Sequence, residues 1–237
     1  MADSFAFKLK GELKMKKWKS FDYSTIDPDN FIIKRKPVYY FFKRLFDIFA
    51  SLLAIILLSW LLIIIAILVK CTSKGPAIYV SDRVGKGGKV FKFYKFRTMK
   101  VGAEAELEDL LKYNETGGIT FKMKDDPRIT GFGKFLRKTS LDELPQLFNI
   151  LTGKMSFVGP RCCTVREYNL YGPKDKLRLL VPQGLTGYWQ IHGRSNTTFE
   201  EMINMDIFYI VKRRGFWYDV WLIIRTPFKL FSHGAAE

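Results

Sequence analysis

Between Asp47 and Lys70 the chain runs for 22 residues without an ionisable side chain, and no other feature restricts its fold as strongly. This run, residues 48–69, is mostly Leu, Ile and Ala. As a straight helix at ~1.5 Å per residue it would be ~33 Å long, enough to cross a ~30 Å hydrocarbon layer. The run is therefore predicted to be a membrane segment. It is not a cleavable signal peptide, because 47 residues precede it and it exceeds the usual length of a signal's apolar region.

Charge makes a simple crossing awkward. Residues 1–47 carry 11 Lys or Arg against 6 Asp or Glu, and residues 70–237 carry 28 against 17, so the flanks are +5 and +11. The positive-inside rule draws both to the cytoplasmic side, with Lys34, Arg35, Lys36, Lys43 and Arg44 before the run and Lys70 and Lys74 after it. A single crossing frustrates one flank, whereas a helix that dips in and returns satisfies both. Bent near its middle, each arm would be ~16 Å long and stay within one leaflet. Near the centre stands Ser59, whose hydroxyl can bond back to a carbonyl one turn earlier and bend the helix.

Over the whole chain the net charge is +16 and 16% of residues are aromatic, which argues against disorder and points to an anionic partner, nucleic acid or a membrane face. The chain has no helix-turn-helix, zinc-finger or RNP-like pattern and its positive charge is spread, so nucleic acid is not expected. Cys71 and the adjacent Cys162 and Cys163 lack both disulfide-like and CxxC spacing, and are read as free thiols in a reducing compartment. His192 and His233 are too far apart to suggest a metal pair.

After Gly75 and Pro76 the pattern predicts a hairpin: residues 77–80, a glycine-rich turn over 85–88, then residues 89–99. Period-two alternation puts Phe91, Phe93, Lys95 and Arg97 on one face. Residues 103–112 read as an acidic surface helix. Ser140 and Glu143 have capping-box spacing, with Leu144, Leu147, Phe148 and Leu151 at helical intervals and Gly153 as the stop. Pro145 would lose a hydrogen bond if Ser140 were the cap, and would sit harmlessly in the first turn if Asp142 were. Either register leaves Asp142 and Glu143 adjacent at a helix N-terminus, where the dipole favours ionised carboxylates and attracts phosphate. Adjacent carboxylates can hold Mg²⁺, and an ionised Asp can attack phosphorus if cations neutralise the incoming anion. Arg128, Arg137, Lys138 and Arg161 lie close enough in sequence to supply them.

These residues, taken together, resemble the bacterial sugar transferase family, the monotopic phosphoglycosyl transferases that start exopolysaccharide, O-antigen, capsule and glycoprotein glycan assembly. The resemblance runs from Lys43-Arg-Leu-Phe-Asp47 to about Leu230. It includes Arg83-Val-Gly85, Tyr94-Lys-Phe-Arg-Thr-Met99, Asp126-Pro-Arg-Ile-Thr130, Leu136-Arg-Lys-Thr-Ser-Leu-Asp-Glu-Leu-Pro-Gln-Leu-Phe-Asn149, Ser156-Phe-Val-Gly-Pro-Arg161 and Gly184-Leu-Thr-Gly-Tyr-Trp-Gln190 with Gly193-Arg194.

The resemblance implies Mg²⁺-dependent transfer of a sugar 1-phosphate from a UDP-sugar to polyprenol phosphate, with release of UMP. By analogy Asp142 attacks the β-phosphate to form a covalent intermediate, and Glu143 helps hold Mg²⁺ with it. Lys95, Arg97, Arg128, Arg137 and Arg161 become candidates for the phosphates or uridine, and Gln190 and Arg194 for the substrate. His192 would line a site without acid-base work. Anionic lipids are expected at the flanks, with downstream glycosyltransferases as further partners.

The fold this implies is α+β and predominantly helical, with a re-entrant membrane hairpin, a small β-hairpin and interfacial helices around a compact cytoplasmic catalytic domain. The expected division is a basic peripheral arm (1–37), a membrane anchor (38–72) and a transferase domain (73–237), a short form without further N-terminal membrane helices. Both termini would be cytoplasmic. The C-terminal pattern of Phe216, Trp217, Val220, Trp221, Ile224, Phe228 and Phe231, with Arg225 and Lys229, predicts an interfacial amphipathic helix. Two departures stand out: Ser59-Trp60 where relatives commonly have Ser-Pro, and Arg161-Cys-Cys163 where they often continue with proline. A glycosidase is disfavoured, since its carboxylates flank a bond ~5 Å or more apart.

Overall fold

The computed structural model describes residues 16–115, 118–193 and 197–232. The apolar run forms parts of two helices. α1 (Pro37–Leu57) and α2 (Ser59–Thr72) meet at Leu58 with a bend of 63°. Among the described residues no single helix is long and apolar enough to cross a membrane. The bend needs no proline: Leu58 leaves helical geometry (φ −99°, ψ 7°), and Ser59 Oγ donates to the Ile56 carbonyl at 2.9 Å.

α1 is polar on its inner side. Lys43, Asp47 and Ser51, spaced by four, are its buried residues, while Phe41, Phe49, Leu53 and Ile56 face outward. Lys43 Nζ lies 2.5 Å from Asp219 Oδ2, and Tyr39 and Tyr209 also donate to that carboxylate, at 2.8 and 2.6 Å. Asp47 Oδ1 accepts from the Phe157 amide at 3.0 Å. A buried pair of this kind specifies position, because removing one partner strands a charge, a loss of about 3 to 5 kcal/mol.

The predicted hairpin forms from β1 (Ile78–Val84) and β2 (Val90–Phe96), antiparallel with Ile78 opposite Phe96 and Val84 opposite Val90. A one-turn helix α3 (Leu107–Leu110) and a 3-10 turn (Leu111–Tyr113) replace the longer acidic helix expected over 103–112. Glu104 and Glu108 repel at i, i+4, and Tyr79 hydroxyl captures Glu104, pinning the segment as turns.

Next come α4 (Gly131–Thr139), α5 (Gln146–Leu151), β3 (Ser156–Val158), β4 (Cys163–Thr164), α6 (Val165–Leu170), β5 (Gly184–Thr186) and α7 (Tyr188–His192). α8 (Phe199–Phe208) runs through a π-helical turn (Tyr209–Arg213) towards α9 (Phe216–Ser232). β4 extends the hairpin to the order β2-β1-β4, and β3 pairs with β5 in parallel. The free edge of β2 is covered by Asn149 of α5, whose Nδ2 donates to the Lys92 carbonyl at 2.7 Å while its Oδ1 accepts from the Tyr94 amide at 3.1 Å. The whole is α+β and predominantly helical.

Residues 18–34 pack onto the domain as more than a peripheral arm. Trp18 is buried in the core with Tyr188, Phe208 and Leu222, and Asn204 of α8 donates to the Phe21 carbonyl at 2.6 Å and accepts from the Tyr23 amide. Arg214 closes the strap by donating to the Lys34 carbonyl at 2.7 Å. On α9, Leu222 faces the core and Trp221 packs against it, while Trp217 (81% exposed), Ile224 and Phe228 face outward, so the helix is amphipathic but the expected stripe is split at Trp221. Phe231, in the same pattern, has no described side chain.

Candidate active site

The carboxylate pair sits at a chain reversal. α4 ends at Ser140, the one non-glycine with positive φ among the described residues (φ 56°), and a 3-10 turn (Leu141–Glu143) leads through Leu144 and Pro145 into α5. The expected capping box does not form. The left-handed backbone directs Ser140 into closing α4, its side chain makes no cap bond, and Pro145 defers the regular helix to Gln146. Asp142 and Glu143 therefore lie one short turn before α5, so burial, their mutual proximity and nearby cations, rather than a helix dipole, set their electrostatics. The apolar stripe of α5 is also rotated: Leu147 and Ile150 are buried while Phe148 is exposed.

Asp142 is 7% exposed. Burial and the neighbouring Glu143 carboxylate push its pKa up to about 6, against the pull of Lys95, Arg137 and Arg161. Glu143 Oε1 pairs with Arg161 Nη2 at 2.7 Å, and this carboxylate raises the guanidinium pKa further. Lys95, from β2, is pushed down to about 8 by burial and by Arg137, with Asp142 opposing and Arg83 and Arg161 adding to the fall. Burial also lowers Arg137, whose Nε donates to Thr98 Oγ1 at 3.0 Å. The result is two carboxylates enclosed by three cations on separate elements.

Glycines hold this assembly tight. Gly159 and Gly184 approach so closely that a Cβ on either would collide with the other strand's backbone, letting the loop that carries Arg161 lie on β5. A Cβ on Gly187 would meet both the Gly159 carbonyl and Gln190 Oε1, so Gln190 lies beside the same close approach. Arg178, 2% exposed, is held by Asp206 at 2.6 Å and by Tyr171 at 2.8 Å, and donates to the Arg161 carbonyl at 3.0 Å.

Two predicted cations do not join the pair. Arg97 Nη1 donates to the Lys74 carbonyl at 2.5 Å and its guanidinium lies against Gly75, because the period-two face ends at Lys95 and Thr98 turns inward. Arg128 is buried in a two-pronged pair with Asp126 (2.9 and 2.6 Å) and donates to the Ala103 carbonyl, so its fork is occupied by protein. Arg194 and His233 lie outside the described residues. His192 stacks on Tyr188 with centroids 4.1 Å apart, and burial lowers its pKa to about 4. It packs as a neutral ring. The three cysteines are free thiols, Cys71 exposed and the others buried.

Arg83, noted in the sequence only within the Arg83-Val-Gly85 motif, is not among the expected site residues. Its guanidinium lies 5.3 Å from the Phe93 ring centroid and its charge depresses Lys95. Arg83 faces Phe91 across the hairpin, so the period-two rule applied to both strands places it on the Phe91, Phe93, Lys95 face.

No cluster of three or more His, Cys, Asp or Glu occurs among the described residues. Mg²⁺ is nevertheless often held by one or two carboxylates, with phosphate oxygens and water completing its shell. Asp142 and Glu143, adjacent in the 3-10 turn, offer that donor set.

Residues 38–233 match the family model described as bacterial sugar transferase. The chain is 45% identical over 185 residues, 78% of its length and 41% of the relative's, to a galactosyl transferase, CpsE, of Streptococcus agalactiae serotype III. It is 42% identical over 190 residues to an undecaprenyl-phosphate galactose phosphotransferase of Salmonella typhimurium, covering 78% and 40% of the two chains. A Rhizobium meliloti exopolysaccharide production protein, ExoY, is 39% identical over 198 residues, covering 81% and 87%. The chain thus spans about two fifths of the length of the first two and most of the third. With the family model covering the carboxylate pair and every cation around it, the chain belongs to the bacterial sugar transferase family.

Proposed function

We propose that this chain is a phosphoglycosyl transferase that moves a sugar 1-phosphate from a UDP-sugar to polyprenol phosphate and so begins assembly of a cell-surface glycan. The observation that carries this reading is a nearly buried Asp142, next to Glu143 and enclosed by Lys95, Arg137 and Arg161, in a chain whose relatives include undecaprenyl-phosphate sugar phosphotransferases.

Asp142 attacks the β-phosphorus through a carboxylate oxygen. The bond from that phosphorus to the oxygen bridging to the α-phosphate breaks, UMP leaves with that oxygen, and an aspartyl phosphosugar remains. An oxygen of polyprenol phosphate then attacks the same phosphorus, displacing the carboxylate and forming polyprenyl diphosphosugar. Lys95, Arg137 and Arg161 neutralise the charge on the phosphoryl oxygens, and the Arg161 pair holds Glu143 beside the nucleophile. When held by Asp142 and Glu143, Mg²⁺ supplies further charge neutralisation at the diphosphate.

The reading places the protein on the cytoplasmic leaflet, with α1 and α2 entering it and returning. Support comes from the strap: residues around Trp18 and Tyr23 pack on α8, a contact that favours the two flanks of the bent helix pair lying on the same side. The outward Phe49, Leu53, Trp60, Trp217 and Phe228 supply apolar surface for the lipid. The deciding experiment supplies purified protein in lipid nanodiscs with Mg²⁺, polyprenol phosphate and a panel of UDP-sugars, and measures UMP. Release by the native protein and none from Asp142→Asn is expected; free sugar without UMP would reject the reaction.

A further inference from the structure

We propose that Thr98 is a positioning residue that aims Arg137 at the phosphoryl group attacked by Asp142, an inference that rests on the function proposed above. Thr98 is 1% exposed and lies two residues beyond β2, the strand that carries Lys95. It grips α4 at two points. Its carbonyl accepts from the Thr130 amide at 3.0 Å, and Thr130 Oγ1 caps the helix by accepting from the Gly133 amide at 3.0 Å. A Cβ on Gly133 would collide with the Thr98 carbonyl, so only glycine lets the helix start come this close. One turn further along α4, Thr98 Oγ1 accepts from Arg137 Nε at 3.0 Å.

That second contact fixes the plane of the guanidinium. It occupies Nε and leaves the two Nη groups, an edge that can bind phosphate oxygens in parallel. Arg137 therefore reaches the Asp142 region with its orientation set from behind, by a side chain that touches neither carboxylate. A valine has nearly the same shape as threonine but would put a methyl group against the buried Nε, so the guanidinium would turn elsewhere for a partner. Serine retains the oxygen and loses only the methyl.

The test is a double-mutant cycle read on Mg²⁺-dependent UMP release from UDP-galactose, UDP-glucose or UDP-N-acetylgalactosamine, whichever the native protein uses best, with thermal stabilisation by UDP as a second readout. Thr98→Val should lower kcat/KM by about ten- to a hundredfold, and Thr98→Ser should recover most of it. In an Arg137→Ala background the valine should have less than about a twofold further effect, because the group it misaims is gone. If Thr98→Val does not fold, Thr98→Ala takes its place in the cycle. An equal loss in both backgrounds, or a serine variant as impaired as valine, would overturn the assignment while leaving the transferase intact. Native protein that neither releases UMP nor is stabilised by UDP would instead remove the function on which the assignment stands.

Discussion

Arg44, on the inner part of α1, donates from Nη2 to the carbonyl of Leu151 at 2.7 Å, and from Nη1 to that of Ile150 at the same distance. These carbonyls close α5, the helix that follows Asp142 and Glu143; that of Ile150 also accepts from the Gly153 amide at 2.9 Å. The bent helix pair and the segment that follows the carboxylates are thus joined by one guanidinium. Arg44→Met should lower stability by about 2 kcal/mol, seen as a fall in melting temperature, and reduce turnover as α5 loosens. Arg44→Lys, with a single ammonium in place of a fork, should fall between the two.

Asp142 illustrates a cost accepted for chemistry. Its folded pKa is raised from the ordinary 3.8 to about 6, so at neutral pH the buried carboxylate is ionised against the preference of its surroundings. The destabilisation is fully present above pH 6 and is relieved as pH falls from there towards 3.8. Asp142→Asn should therefore abolish UMP release and at the same time raise the melting temperature at pH 7 by a few degrees. A melting temperature that fell would place the burden of the site on another group.

Asp142 and Lys95 together predict the pH profile. Activity that needs Asp142 ionised and Lys95 charged should fall below about pH 6 and above about pH 8 in kcat/KM. Lys95→Arg should carry the alkaline limb upward, because a guanidinium keeps its proton. Raising Mg²⁺ should carry the acid limb downward, because a cation at the carboxylates favours their ionised form.

Arg97 and Lys95 are two residues apart and should behave differently. Arg97 ties the end of α2 to the hairpin through the Lys74 carbonyl, whereas Lys95 exchanges charge effects with Asp142. Arg97→Ala should lower stability and leave turnover per folded molecule within about threefold, while Lys95→Ala should lose about a hundredfold or more. Melting curves and UMP release on the same preparations separate the two effects.

The bent apolar helix pair, the hairpin and the carboxylate pair were legible because each is written in local pattern: an uncharged run, period-two alternation with a glycine turn, two adjacent acids. What escaped was set by which side chains pair in the fold, most of them with partners distant in sequence. Arg128 and Arg137 look equivalent along the chain, yet Asp126 occupies the first and Thr98 presents the second. The buried stripe of Lys43, Asp47 and Ser51 has plain four-residue spacing, but its meaning needs Asp219 and the Phe157 amide, more than a hundred residues away. Ser140 shows the limit of a motif: its spacing to Glu143 suits a cap, and a left-handed backbone removes that use.

Cys71 offers a direct reading of topology. It is exposed near the end of α2, while Cys162 and Cys163 are buried, so a thiol reagent reports first on the side where α2 ends. The exposed Asp29 marks the other flank, in the strap before α1. A membrane-impermeant maleimide added to intact cells should label neither Cys71 in the native chain nor Asp29→Cys in a Cys71→Ser background, and in inverted vesicles it should label both. Labelling of the Asp29→Cys variant from outside, with Cys71 reached only from inside, would mean a true crossing. That outcome would also require the Asn204 contacts to Phe21 and Tyr23 to be broken in the membrane, so a lowered melting temperature in Asn204→Ala provides an independent check that the strap is seated.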